Sequence, residues 1–319
     1  MNYLVTSIGS ISAETVIADI KNKNNNKVTG CNIYPKEWTA ASRLTDNFYE
    51  VPPFVEKNAY IEAIKKIIIK EKINFIVPLT DPEVDILSEN YEDFISLGAT
   101  PCISTSASIE IARDKLSIYN LFKNSKILTI PTIKNTHFKK NDFEFPLIAK
   151  LRKGRSSKGN LIIENSNSFE FHKKIIYSND YIIQPYLPGE IYVTDIVRQN
   201  NQKYSVSITR KELLRTENGA GIVVQTKNNN HVCNQLALKI ADAINVKGCI
   251  NIEFLMHESE PRIMDINPRF SAGVVFSKLS GYSMVQNHIR CFNDEEIEKE
   301  KPISEKIYTR SYQEFLISM

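Results

Sequence analysis

Ile250-Asn251-Ile252-Glu253-Phe254 and, shortly after it, Met264-Asp265-Ile266-Asn267-Pro268-Arg269 decide how this chain is read. Alternate side chains of a strand share a face, so Asp265 and Asn267 point the same way. The apolar runs from Cys249 to Met256 and from Pro261 to Ile266 pair as a hairpin across His257 to Glu260, which brings Glu253 alongside them. Two carboxylates and an amide oxygen on an otherwise apolar surface make a hard oxygen site. Such a site suits Mg²⁺, which keeps water and substrate phosphates as its other ligands. Arg269 falls on the same face if the extended chain continues, where it meets the phosphate that the metal holds. A merely exposed polar hairpin face is the plainer reading, and the apolar flanks count against it.

Upstream lies Pro146-Leu147-Ile148-Ala149-Lys150, running into Leu151-Arg152-Lys153-Gly154-Arg155-Ser156-Ser157-Lys158-Gly159. An apolar strand delivers a lysine, and a loop bounded by two glycines follows. Free backbone N–H groups, serine hydroxyls and cations give that loop the makings of a polyphosphate cradle, with a basic hairpin turn as the alternative. No G-K-[ST] ending follows, so it is not a Walker A loop. Between these segments, Tyr181 to Gln184 is a strand that Pro185 interrupts. Backbone groups freed there can pair with an adenine edge, or the segment is an interdomain linker.

The first hundred residues alternate strand and helix: strands at Tyr3–Ile8, Lys27–Ile33, Phe48–Val51 and Ile73–Val77, helices at Ser12–Lys21 and Tyr60–Lys72. That pattern predicts βαβ units around a parallel sheet, with ligand loops at the strands' carboxyl ends near Ser7-Ile8-Gly9-Ser10 and Thr80-Asp81-Pro82-Glu83. No G-x-G-x-x-G is present, which argues against a dinucleotide site. Ser108 to Lys123 reads as one helix. Beyond it come short strands, then longer ones with period-2 alternation at Ile191–Arg198, Tyr204–Arg210 and Ile222–Thr226, and a helix at His231–Ile244. The fold class is therefore α/β followed by an α+β region in two lobes.

The 319 residues carry 40 Lys+Arg against 37 Asp+Glu, a net charge of +3 that argues against nucleic acid as the main partner. No run approaches the roughly 20 apolar residues of a membrane span, and the amino terminus lacks the features of a signal peptide. Five scattered cysteines without C-x-x-C spacing point to a reduced, cytoplasmic protein with no zinc site. Only 11 residues are glycine, about half the usual share of roughly 7%. Each one is therefore expected to answer a backbone or packing demand.

Taken in order, the three segments resemble the ATP-grasp superfamily, in the branch of carbamoyl-phosphate-synthase-like ligases that includes the ligase of pyrrolysine biosynthesis. Val5-Thr6-Ser7-Ile8-Gly9 and Val77-Pro78-Leu79-Thr80-Asp81-Pro82-Glu83 are similar to its Rossmann-like pre-ATP-grasp domain, and Asp114-Lys115 to the lysine that opens the ATP-grasp region. The resemblance implies a pre-ATP-grasp domain over 1–107, a small lobe with its linker helix over 108–187 and a large lobe with the metal site over 188–319. It implies ATP and Mg²⁺ as cofactors. Lys115 and Lys150 would bind ATP phosphates, with Ser156 and Ser157 on the loop above them. Gln184 and the backbone of Pro185 and Leu187 would hold adenine. Glu253, Asp265 and Asn267 would ligate the metal, Arg269 would stabilise the transferred phosphoryl group, and Arg210 would face the triphosphate and acyl substrate.

Two positions depart from the family pattern. Asp265 stands where many members have Glu, and Ile191 where the ribose carboxylate usually lies; Asp195 shares the strand parity of Ile191 and is the substitute expected here. The implied activity is ATP-dependent carboxylate–amine ligation through an acyl phosphate. A non-catalytic ATP-binding module and a small-molecule kinase are the alternatives on the same fold. Small carboxylate and amine substrates are the expected partners, with neither nucleic acid nor membrane; a homodimer is the default for oligomeric state.

Overall fold

A computed structural model describes residues 1–22, 25–139, 141–155, 158–200 and 204–316. Three sheets follow one another along the chain. The first holds β1 (Asn2–Val5), β2 (Lys27–Asn32), β3 (Asn47–Glu50), β4 (Phe75–Val77) and β5 (Thr100–Pro101), all parallel, in the order β3-β2-β1-β4-β5. The order reverses between β1 and β4, so a crevice opens at their carboxyl ends, where Ser7 and Thr80 lie. Ser7 has a φ of 50°, a left-handed turn that takes the chain off β1.

The second sheet holds β6 (Ile133–Lys134), β7 (Leu147–Leu151), β8 (Leu161–Ile163) and β9 (Tyr181–Pro185), antiparallel in the order β6-β9-β7-β8. Leu147, Ala149, Ile163 and Ile183 turn one face of it onto the helix Ser166–Ser178, whose Ile176 joins their core. The third sheet holds β10 (Glu190–Gln199), β11 (Tyr204–Arg215), β12 (Gly221–Thr226), β13 (Gly248–His257), β14 (Glu260–Asn267) and β15 (Ile307–Thr309), in the order β14-β13-β10-β11-β12-β15. β13 and β14 form a hairpin whose turn residues, Glu258 and Ser259, take φ values of 51° and 65°. Two left-handed residues in succession match the right-handed twist of the strands they join.

One core is shared between the ends of the chain. Tyr3 and Val5 of β1 pack with Val197 of β10 and with Met284 and Ile289 of the helix Met284–Phe292. This apolar seam fixes the parallel sheet against the largest one and so sets the width of the space between them. No described helix is long and apolar enough to cross a membrane.

The single helix expected over Ser108–Lys123 is two, Ser106–Ala112 and Lys115–Phe122. Asp114 breaks it. Its Oδ1 accepts from the backbone N–H of Leu116 and Ser117, as an N-cap does, and also takes the Arg152 Nε hydrogen bond at 2.8 Å. A capping aspartate held by Arg152 restarts the helix and sets Lys115, its first residue, against the loop that follows β7, where its Nζ donates to the Gly154 carbonyl. Asp114→Ala should lower stability by about 2 kcal/mol in urea unfolding, with the helix start frayed.

Candidate active site

The β13–β14 register sets Glu253 directly opposite Asp265 and Asn251 opposite Asn267. All four side chains rise from one face. A bulge follows at Glu253/Phe254, where Met264 is the extra residue, and it ends regular pairing just beyond the carboxylates. Asn267 Nδ2 donates to Asn251 Oδ1 at 3.1 Å and reaches Glu253 Oε1 at 3.5 Å, while Arg215 Nη2 donates to Glu253 Oε2 at 3.0 Å. Burial first, and then the charge of Glu253, raise the Asp265 pKa above the usual carboxylate range, against the pull of Lys115 and Lys150.

Lys115 Nζ lies 3.4 Å from Asp265 Oδ2 and donates to the Gly154 carbonyl at 2.9 Å, linking the metal-type cluster to the glycine loop. Lys150, on β7, is 8% exposed, and no acceptor among the described residues meets its ammonium. Burial, then the Lys115 charge, push it down to about 8. Ser156 and Ser157 lie outside the described residues.

Arg269 donates from Nη2 to Asp81 Oδ2 at 3.1 Å and from Nη1 to the Phe270 carbonyl at 3.0 Å. Arg210 is buried between two carboxylates, Asp195 at 2.8 Å and Glu212 at 2.9 Å, with Ser271 Oγ at 3.0 Å. Gly273 makes room for it, since a Cβ there would stand 2.6 Å from the Arg210 guanidinium carbon. Gly273→Ala should therefore displace Arg210 from partners that cannot follow. We expect at least a tenfold loss of ATP-dependent turnover and about 1–3 kcal/mol of stability, read by phosphate release and urea unfolding.

These groups line one cavity of about 980 Å³. Lys115, Lys150, Glu253, Asp265, Asn267, Arg269 and Arg210 all reach it, as do Ser7, Thr80 and Asp81 from the parallel sheet. The other expected contacts lie elsewhere. Asp195 is fully buried beneath the cavity floor, where its Oδ2 accepts from Arg210 and from Ser277 Oγ at 2.7 Å. This corrects the ribose contact expected of it: the strand parity with Ile191 holds, but the carboxylate is covered by the arginine it supports. Gln184 donates to Thr132 Oγ1 at 2.8 Å and borders a separate crevice of about 10 Å³, too narrow for a purine. Its Oε1 is buried without a partner among the described residues, so the amide is only half satisfied there. Pro185 and Leu187 do not line the large cavity.

Four contributors were not singled out as site residues. Asp81 nonetheless lies in the ligand loop Thr80–Glu83, and Glu212 and Arg215 in the stretch Thr209–Arg215, which resembles the family segment facing the triphosphate and acyl substrate. Asn251 had a usable signal, since it shares strand parity with Glu253, and so did Glu212, which shares it with Arg210. Strand parity could not give the direction of Arg215, because the β11–β12 register shifts between Glu212 and Arg215. Asp81 acts through Arg269, which arrives from a distant part of the chain.

Among the described residues, no group of three or more His, Cys, Asp or Glu gathers as a metal site. The two carboxylates and the amide oxygen nonetheless fit Mg²⁺ held jointly with phosphates. Lys150, mostly buried but lining the cavity and with no hydrogen-bond or ion-pair partner among the described residues, fits a phosphate oxygen.

Residues 177–315 match a family described as "ATP-grasp in the biosynthetic pathway with Ter operon", and residues 3–103 match "PylC-like, N-terminal domain". A D-alanine–D-alanine ligase of Petrotoga mobilis is 24% identical over 232 residues, 62% of this chain and 72% of the relative. Among solved structures, the biotin carboxylase domain dimer of Hydrogenobacter thermophilus 2-oxoglutarate carboxylase, in complex with MgADP, ADP and bicarbonate, superposes with a TM-score of 0.78. Its identity is 16%, over 97% of this chain and 74% of that one. A Rhizobium etli pyruvate carboxylase gives a TM-score of 0.74 at 14% identity over 92% of this chain, which spans only 28% of that longer one. At these identities the two superpositions speak to fold.

Proposed function

Because the chain belongs to the ATP-grasp superfamily and carries a PylC-like N-terminal domain, we propose that it is an ATP-dependent carboxylate–amine ligase. ATP, as a substrate, gives its γ-phosphoryl to a carboxylate, and an amine then displaces phosphate from the acyl phosphate, leaving an amide, ADP and phosphate. A carboxylate needs this step because oxide is too poor a leaving group for direct attack.

The observation that carries the reading is the gathering of Lys115, Lys150, Glu253, Asp265, Asn267 and Arg269 on one cavity shared with the strand ends of the parallel sheet. Glu253, Asp265 and Asn267 would hold Mg²⁺, which when bound neutralises and orients the polyphosphate. Lys115 and Lys150 bind phosphate oxygens. Arg269, held by Asp81, stabilises the charge of the transferred group, and Arg210, held by Asp195 and Glu212, faces the acyl end. The protein contributes positioning and charge, with no nucleophile of its own. Ser271 is no exception: its Oγ accepts from Arg210 Nη2 at 3.0 Å, so the hydroxyl serves to hold that arginine.

The test is a panel of carboxylic acids and amines assayed for ATP-dependent phosphate release, with mass spectrometry of the products. Release that requires both components and yields their amide supports the reading. A stable phosphorylated product without condensation, or no release across the panel, counts against it.

A further inference from the structure

The cavity has two walls of different chemistry. One is the charged wall described above. The other belongs to the parallel sheet, where Ile11, Ile33, Tyr34, Trp38 and Phe54 line the same space. Large apolar side chains stand open there: Ile11 is 52% exposed, Tyr34 53% and Trp38 76%. The Tyr34 and Trp38 rings lie 6.2 Å apart, tilted by 35°, and the Arg155 guanidinium of the glycine loop lies 5.3 Å from the Phe54 ring. Apolar side chains left open singly are ordinary; a group of them on a concave wall marks a binding surface.

The backbone holds this wall in place. Trp38 ends a short 3₁₀ turn, Lys36–Trp38, and the next residue, Thr39, locks it. Thr39 Oγ1 donates to the Pro35 carbonyl at 3.0 Å and accepts from Asn32 Nδ2 at 3.0 Å, tying the turn to the end of β2. The indole is thus presented to the cavity by an anchored turn.

A polyphosphate and its metal need cations and oxygens, of which the side chains of Ile11, Ile33, Tyr34, Trp38 and Phe54 offer only the Tyr34 hydroxyl. We propose, resting on the ligase reading, that one of the two substrates is an amino acid or similar small molecule with an aromatic or bulky aliphatic side chain. Tyr34 and Trp38, with Ile11 and Phe54, hold that side chain while its reacting end faces Arg269.

Trp38 is the only tryptophan of the chain, so its emission reports on this wall with or without turnover. The full chain is titrated with both enantiomers of phenylalanine and leucine, and with glycine and aspartate, in the presence of MgADP. A saturable change with phenylalanine or leucine, and none with glycine or aspartate, is expected. In phosphate-release assays, Trp38→Ala should raise the KM of the apolar substrate about tenfold or more, with the KM for ATP within about twofold. Trp38→Phe, which keeps an aromatic ring, should recover most of that loss. Unresponsive emission with every apolar amino acid overturns the assignment, and robust turnover of small polar substrates alongside it would leave the ligase reading standing. A saturable response without any phosphate release upholds the wall and counts against the ligase.

Discussion

Asp265→Asn should reduce Mg²⁺-dependent phosphate release by about a thousandfold or more while leaving the ligand-free fold at least as stable. The first half follows from the donor set. Asn keeps the shape and one oxygen but removes half of the carboxylate charge that faces the metal, and a bound cation contributes several kcal/mol of charge stabilisation, where each 1.36 kcal/mol is about tenfold in rate. The second half follows from the environment. Burial first, and the opposing Glu253 next, disfavour the charged form of Asp265, so a neutral isostere relieves a local repulsion. Lys115, which approaches it to 3.4 Å, keeps the Gly154 carbonyl.

The sign of the pH dependence is fixed by the same shift. An acid whose folded pKa is raised binds more protons folded than unfolded, so its contribution to stability falls as pH rises from the ordinary carboxylate value through the raised one. Asp265→Asn should flatten the stability profile in that window. Phosphate release against Mg²⁺ concentration, together with unfolding midpoints with and without MgADP, checks both halves. Retained turnover removes the metal assignment; a collapsed midpoint makes the carboxylate structural.

The strands around this site are legible because period-2 alternation survives in a half-buried sheet, and a hairpin with a short connection has few registers open to it. Glu253, Asp265 and Asn267 can be placed on one face from parity alone. What parity cannot tell is what covers a face. Asp195 has the expected direction, yet Ser277 from the helix Val274–Leu279 and Arg210 from β11 close over it. The pairing of Arg269 with Asp81 spans 188 positions of sequence and exists only once the parallel sheet has docked. The break at Asp114 is hidden for a similar reason: the apolar spacing continues through it, and Arg152, which holds the cap, comes from the next sheet. β15 pairs along the edge of β12 through three residues, of which Ile307 is 65% exposed, too short and too open to leave a pattern.

Lys150→Met should stabilise the ligand-free protein and at the same time weaken nucleotide binding by about a hundredfold. The ammonium is buried on β7 beside another cation, and burial, then Lys115, push its pKa down to about 8. An unperturbed lysine sits near 10.4, so holding the charge in place costs on the order of 3 kcal/mol below pH 8. Met has a similar length and no charge to desolvate. The unfolded chain binds the extra proton between about pH 8 and 10.4, so wild-type stability rises with pH across that window, while the variant does not gain there. The difference in melting temperature should therefore be widest near pH 7 and close above pH 10. Nucleotide binding runs the other way, because a charge-assisted contact to phosphate contributes about 1.5–3 kcal/mol and Met cannot supply it. Wild-type binding near pH 8 and above should also take up a proton, seen by calorimetry in buffers of different ionisation enthalpy. A less stable Lys150→Met protein that still binds nucleotide normally would show that this lysine acts through the packing of its stem, with its charge playing no part in the site.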